Sequence, residues 1–317
     1  MKKIIIAIVG LLCITGAAAY YFFSGRSDDD KSDAFNSSKN AILKLQVMTE
    51  EMPDANPDMV INQVIQILKK RLDRIGVSNY EFMLLDSQEL GFAIAEEEFN
   101  PGIRSMLQSK GNLQFRETVF SSEVWPILEE IEMSMIMTDT TRTPVLSLIS
   151  KDSYGFACIG YANKADMEQI NDFIYSPEVK SRLKDVTLLW SAKPAYGSDD
   201  IFELIAIKEP EAKERILDGR IIDSASACSD SYSAYVSVSM TKQGAREWEK
   251  FTGQNIKRHI AVVLDDLVYI NPRVENKITI GSVHIADNFT LEEAKNLAAI
   301  IDIDMLPVTV RIIAEKH

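Results

Sequence analysis

AYVSVSMTKQGAREWEKFTGQNIKRHIAVVLDDLVYINPRV, residues 234–274, changes its hydrophobic period twice. Val236 and Val238, beside Tyr235, alternate with serines as a half-buried strand does. Thr241 then opens a helix in which Trp248 and Phe251 share one stripe. From Ile260 to Ile270 two apolar strands are hinged on Asp265-Asp266. A two-residue hairpin turn needs positive φ, which aspartate accepts more readily than branched residues do. Further on, ITIGSVHIADNFTLEEAKNLAAI (278–300) holds a second helix start at Thr290, with Glu293 three residues later, and MLPVTVRII (305–313) ends in a strand pattern. The fold class expected of the chain is α+β.

The N-terminal third repeats that alternation. Residues 41–48 are strand-like, and Asp58 to Ile75 form a helix with Val60, Ile61, Val64, Ile65, Leu68, Leu72 and Ile75 along one face. Gly76 closes it as a C-cap. Strands follow over 80–85 and 91–95, a short helix from Pro101 to Gln108 closed by Gly111, and a strand over 112–119. The order is β-α-β-β-α-β, the ferredoxin-like split unit.

Residues 120–305 are an α+β insertion, harder to read in their first half. A helix is expected over 123–137 with Pro126 in its first turn, a loop over 138–153, and helices over 165–175 and 178–184. Strands are expected over 186–190 and 201–207, while the serine-rich stretch 218–231 is ambiguous.

At the N-terminus, Ile4 to Phe23 run for twenty positions without a charge. At about 1.5 Å per residue that spans the roughly 30 Å hydrocarbon layer. Residues 1–25 are therefore read as a transmembrane anchor, with Lys2 and Lys3 cytoplasmic and the bulk of the chain periplasmic. Ala17-Ala18-Ala19 keeps a cleavable signal peptide open as the rival reading. Tyr20-Tyr21-Phe22-Phe23 favour the anchor, since they prolong the apolar run past that site as an interfacial belt. Residues 26–40 are polar and charged and form a flexible tether.

Composition excludes some functions. A net charge of −13 repels nucleic acid and anionic lipid headgroups. The apolar share of 46% is that of a chain that folds. Ser181-Arg182-Leu183-Lys184 matches Ser-x-x-Lys by chance, in a charged helix with no companion motif. His259, His284 and His317 have no partner at ligand spacing, so no metal or cofactor is expected. Cys158 and Cys228 carry no spacing signature, which leaves a disulfide and two plain core thiols both open. Asp265-Asp266 is a turn rather than a catalytic pair, and no active site is visible.

The words quoted from residues 234–313, in this order, resemble the first periplasmic domain of the protein-export subunit SecD and its fused form SecDF. ILKKRLDRIGVS (67–78) and GNLQFRET (111–118) resemble the same family's Ile-Leu-x-x-Arg and Asn-Leu-Glu-Phe segments. The resemblance implies a base of residues 41–119, a head of residues 120–305 and a returning base strand over 306–317. It also implies that the head holds emerging polypeptide while swinging on the base. Hinge candidates are then Phe120 and Ser121 on the way out, and Asp304, Met305 and Pro307 on the way back. The chain departs from the family's glycines at Ile280, Asp287 and Asp304, where turns are expected to survive because aspartate can enter the left-handed region at a cost. Asp304 is expected to stiffen the joint.

In that family protons moving through charged membrane residues supply energy. The run Ile4–Phe23 holds no Asp, Glu, Lys, Arg or His to carry such a relay. The expectation is a non-enzymatic, single-pass, inner-membrane polypeptide-binding domain whose partners are secretory polypeptides or the Sec machinery. The alternative is a non-catalytic envelope scaffold that docks one dedicated partner. No residues that would touch polypeptide are singled out.

Overall fold

The computed structural model describes residues 40–86, 88–152, 156–195, 197–211, 216–230 and 233–316. The segment read as a membrane anchor, and nearly all of its tether, lie outside them. Among the described residues no helix is long and apolar enough to cross a membrane. The chain divides into two compact units, residues 1–111 with 295–317, and residues 112–294.

In chain order the first unit runs β1 (Asn40–Val47), α1 (Pro57–Arg74), β2 (Tyr80–Asp86), β3 (Glu89–Ala95) and α2 (Pro101–Gln108). The second begins with β4 (Leu113–Glu117), α3 (Ser121–Thr138), β5 (Ser150–Lys151), β6 (Cys158–Asn163), α4 (Met167–Ile174) and α5 (Pro177–Arg182). It continues with β7 (Val186–Trp190), β8 (Ile201–Lys208), β9 (Leu217–Asp218), β10 (Ile222–Ser229) and β11 (Ala234–Met240). Then come α6 (Lys242–Gln254), β12 (Ile260–Leu264), β13 (Leu267–Ile270) and β14 (Ser282–Phe289). Helix α7 (Leu291–Asp302) crosses the division, and β15 (Val310–Lys316) ends in the first unit.

The first unit is one antiparallel sheet in the order β15-β1-β3-β2. Helix α1 buries Val60, Ile61, Val64, Ile67, Leu68 and Leu72, each stabilising by roughly 1.5–3 kcal/mol on leaving water. Its start is set by Asn56, whose side chain accepts from the amides of Asp58 and Met59, with Pro57 in the first turn. Its end is set by Gly76 at φ +88°, where the Val77 amide turns back to the Leu72 carbonyl.

Residues 112–119, read from the sequence as a strand of the first unit, belong to the second. There β4 pairs with β12 on one side (Phe115 opposite Val262) and with β9 on the other. Periodicity reveals which faces of a strand are apolar, not which strand it will pair with. The buried Phe115 ring settles 5.0 Å from Trp248 of α6.

Among its described residues the second unit holds three sheets, β10-β11-β14, β13-β12-β4-β9 and β5-β6-β8-β7. The β12-β13 hairpin turns on Asp265 (φ 50°) and Asp266 (φ 65°), as their position between apolar strands predicts. Thr241 caps α6 by accepting from the Gly244 amide at 3.0 Å. A Cβ on Gly244 would lie 2.4 Å from the Ile221 carbonyl oxygen, so glycine is required for that approach. Thr290 and Glu293 form the expected capping box: the Glu293 amide donates to Thr290 Oγ1 (3.1 Å) and the Thr290 amide to Glu293 Oε2 (2.8 Å).

Helix α3 begins at Ser121, so Pro126 lies in its sixth position, beyond the first turn where it was expected. There proline removes an internal helical donor, a cost the tertiary packing of Val124, Trp125, Leu128 and Ile131 offsets. These side chains form a core with Ile170, Phe173 and Ile174 of α4 and with Leu188 and Trp190 of β7. The ambiguous stretch after residue 218 resolves into β10, paired with β11 from Ile222 to Ser229.

Candidate functional site

An open cavity of the second unit, about 860 Å³, lies against the C-terminal half of α3, the segment 141–145, α4 and the start of α5. Glu132, Met135 and Ile136 of α3 form one wall. The Glu132 carboxylate accepts the amides of Val145 (2.6 Å) and Leu146 (2.7 Å), stapling the following segment back onto its own helix. Asp139 continues the staple by accepting the hydroxyl and then the amide of Thr141, which holds its carboxyl below the usual range. The opposite wall carries Gln169, Asp172, Phe173, Tyr175 and Glu178.

Methionines mark the end of α3. Met133 and Met137 are 57% and 74% exposed, while Met135 and Ile136 line the cleft itself. Unbranched, polarizable thioethers adapt to differently shaped apolar partners, which suits a surface that must accept many of them. The run IEMSMIMT (131–138) was legible as a sequence, but periodicity identifies it only as helix.

A second cavity of about 430 Å³ in the same unit is lined by Glu203, Tyr269, His284 and Asp287. Burial, then the charges of Asp287 and Asp152, push the Glu203 carboxyl above its usual range. Asp287 is raised mainly by burial, against the partly offsetting Lys193 ammonium. Lys193 donates to the Asn288 carbonyl (3.0 Å) and to Glu293 (3.0 and 3.1 Å). Burial pushes the Tyr269 hydroxyl up to about 12.

The other singled-out residues are structural. Ser181 Oγ donates to the Glu178 carbonyl of its own helix. His259 Nδ1 lies 2.6 Å from the Asn271 carbonyl with its ring 4.9 Å from Phe156, and His284 stacks on Tyr235 at 4.9 Å. Among the described residues no group of three or more His, Cys, Asp or Glu side chains could hold a metal ion. Cys158 and Cys228 are both free, and burial pushes the Cys158 thiol up to about 12. The two readings left open for this pair are thereby decided in favour of free thiols.

Phe120 caps α3 in an extended conformation, and the buried Ser121 donates its amide to the Phe156 carbonyl at 2.6 Å. On the return path, Asp304 Oδ2 lies 3.7 Å from Lys70 Nζ, and the amide before Pro307, that of Leu306, donates to the Lys110 carbonyl at 2.8 Å. Met305 is exposed. Neither Asp287 nor Asp304 takes positive φ; the left-handed residue is the neighbouring Asn288, at φ 46°. The expected cost at these two departures is therefore absent.

Sequence reading missed Arg71. It is fully buried on the apolar side of α1, one turn after Leu68 and next to Leu72. Its guanidinium donates to the carbonyls of Ser109 (2.6 Å), Met106 (3.4 Å), Lys110 (3.2 Å) and Asp304 (3.2 Å). Its spacing with Leu68 was the available signal.

Residues 206–308 match the family model described as the SecDF P1 head subdomain. The protein translocase subunit SecD of Rhodothermus marinus is 26% identical over 292 residues, 81% of this chain and 46% of that protein. SecD of Calditerrivibrio nitroreducens is 38% identical over 82 residues, 26% of this chain and 16% of its own length. The chain thus spans less than half the length of these curated relatives. A SecDF crystal structure in its super-membrane-facing form overlays 99% of this chain and 35% of its own at 15% identity and a TM-score of 0.49, too loose an overlay to argue from. The head-model match over residues 206–308 and the SecD relatives agree in one direction: this chain is similar to the first periplasmic domain of SecD.

Proposed function

We propose that this chain holds polypeptide in transit during protein export, as an accessory or paralogue of the SecD subunit, with its bulk in the periplasm. The observation that carries the reading is the open cleft walled by Met135, Ile136 and Phe173, on a helix that also exposes Met133 and Met137, a roomy and adaptable surface. Its volume falls within the roughly 300–1,000 Å³ of sites that bury a small ligand, which suits a few side chains of an extended chain rather than a folded partner. The sheet order β15-β1-β3-β2 supports reading the first unit as a ferredoxin-like base. The uncharged run Ile4–Phe23 supports an anchor that itself takes no part in proton transfer. Phe120, Ser121, Asp304, Met305 and Pro307 remain the proposed hinge.

Photocrosslinking in living cells from residues 133, 137 and 169 tests this reading. Adducts with many different secreted chains are expected. One discrete adduct would instead favour the dedicated-partner scaffold, and adducts with none would remove the cleft from consideration.

A further inference from the structure

We infer that the cleft selects extended segments in which apolar side chains alternate with cationic ones; this rests on the polypeptide-holding reading above. Two features of the walls carry it. The apolar contribution comes from Met135, Ile136 and Phe173, which can receive aliphatic or aromatic side chains. The polar contribution is acidic. Glu132 is occupied by two backbone amides, and Arg142 stands 3.7 Å from Asp139, so those charges are largely answered within the protein. Asp172 and Glu178 line the cleft, are exposed, and carry no ion pair among the described residues. Of the neighbouring cations on α5, Lys180 sits 5.7 Å from the Tyr175 ring and Arg182 pairs with Glu130 at 2.7 Å, so the lining of the cleft stays net negative.

Charge complementarity therefore names the occupant. A lysine or arginine beside an apolar side chain would meet Asp172 or Glu178 while its neighbour enters between the methionine wall and α4. An acidic segment would meet like charge, and repulsion discriminates as effectively as attraction. The long aliphatic stems of lysine and arginine add apolar contact on the way to the carboxylates.

The test measures fluorescence anisotropy of three labelled peptides of equal length, alternating Leu-Lys, Leu-Ser and Leu-Glu, with the full chain at low and high salt. Two exposed charge contacts predict Leu-Lys binding roughly 3- to 10-fold tighter than Leu-Ser, with Leu-Glu weakest and the ranking compressed by salt. The double variant Asp172→Asn, Glu178→Gln should lose that ranking. Removing the same charge elsewhere, with Glu96→Gln and Glu97→Gln, should leave it intact, which separates a local effect from the charge of the whole chain. Equal binding of all three peptides overturns the charge selection but leaves polypeptide holding in place. Charge selection by the cleft is likewise overturned if the Glu96, Glu97 variant abolishes the ranking as fully as the cleft variant does. Failure of every peptide to bind overturns both.

Discussion

Arg71 Nη2 donates to the main-chain carbonyl of Asp304 at 3.2 Å, across a sequence separation of 233 residues. The same guanidinium reaches Ser109 and Lys110, beside the point where the chain passes into the second unit. One buried cation thus fastens the outgoing and the returning segments of the first unit to α1. The carbonyls it satisfies follow helices α2 and α7, where helical geometry leaves acceptors without donors and favours positive charge.

Arg71→Met should therefore lower the unfolding free energy by roughly 3 kcal/mol, since several buried carbonyls lose a charged donor at once. Arg71→Lys should recover only part of this, because an ammonium cannot reproduce the planar fork. Urea titration measures both. In the unsubstituted protein, hydrogen exchange at residues 303–307 should be slow; exchange as fast as in a short unstructured reference peptide would refute a stiff joint at Asp304.

Glu203 gives a pH dependence of definite sign. Its folded-state pKa is raised, by burial first and then by Asp287 and Asp152, so the folded state binds its proton more tightly than the unfolded state does. Its contribution to stability is fully present below the ordinary carboxylate value and is lost as pH rises through the raised one. Asp287 acts in the same direction. Glu203→Gln should remove the Glu203 part of this fall, leaving the variant at least as stable as the parent at pH 7. Thermal unfolding across pH 4 to 8 checks it, and an unchanged pH profile would contradict the assignment.

Glu293 behaves oppositely. Burial opposes its ionisation, but the Thr290 amide and Lys193 outweigh this and lower its pKa. Its contribution is present above the ordinary carboxylate value and disappears as pH falls through the depressed one. Thr290→Ala should cost about 1 kcal/mol through loss of the cap, measured by urea unfolding at neutral pH.

Asp266 at φ 65° should accept glycine with a change within about 0.5 kcal/mol, whereas Asp266→Val should cost roughly 1–2 kcal/mol at a left-handed position. Asp265 is the less tolerant of the pair, because its carboxylate also accepts the Asn112 amide at 2.9 Å. Calorimetric midpoints of the two Asp266 variants separate the outcomes.

Alkylation distinguishes the two free thiols. In a Cys13→Ser chain at pH 7.5, Cys228 should react with iodoacetamide while Cys158, buried and with its pKa about 12, stays unmodified until the protein unfolds. Equal rates for both in the folded protein would contradict the packing of β6.

What could be read from the residues was local. Gly76, Thr241, Asp265-Asp266 and the Thr290–Glu293 pair each act within a few positions, and the energies that make caps and turns are spent over that range. The helix carrying Met133, Met135 and Met137 was readable on the same terms. What only the tertiary structure decided was partnership over distance. Leu113 and Phe115 have an apolar face whichever sheet receives them, and pairing with β12 depends on a strand far along the chain. Arg71 reads as one more helix charge until Ser109 and Asp304 arrive around it. The cleft exists because α4 and α5 stand away from the end of α3, a spacing set by side chains from three separate helices that no window of sequence contains at once.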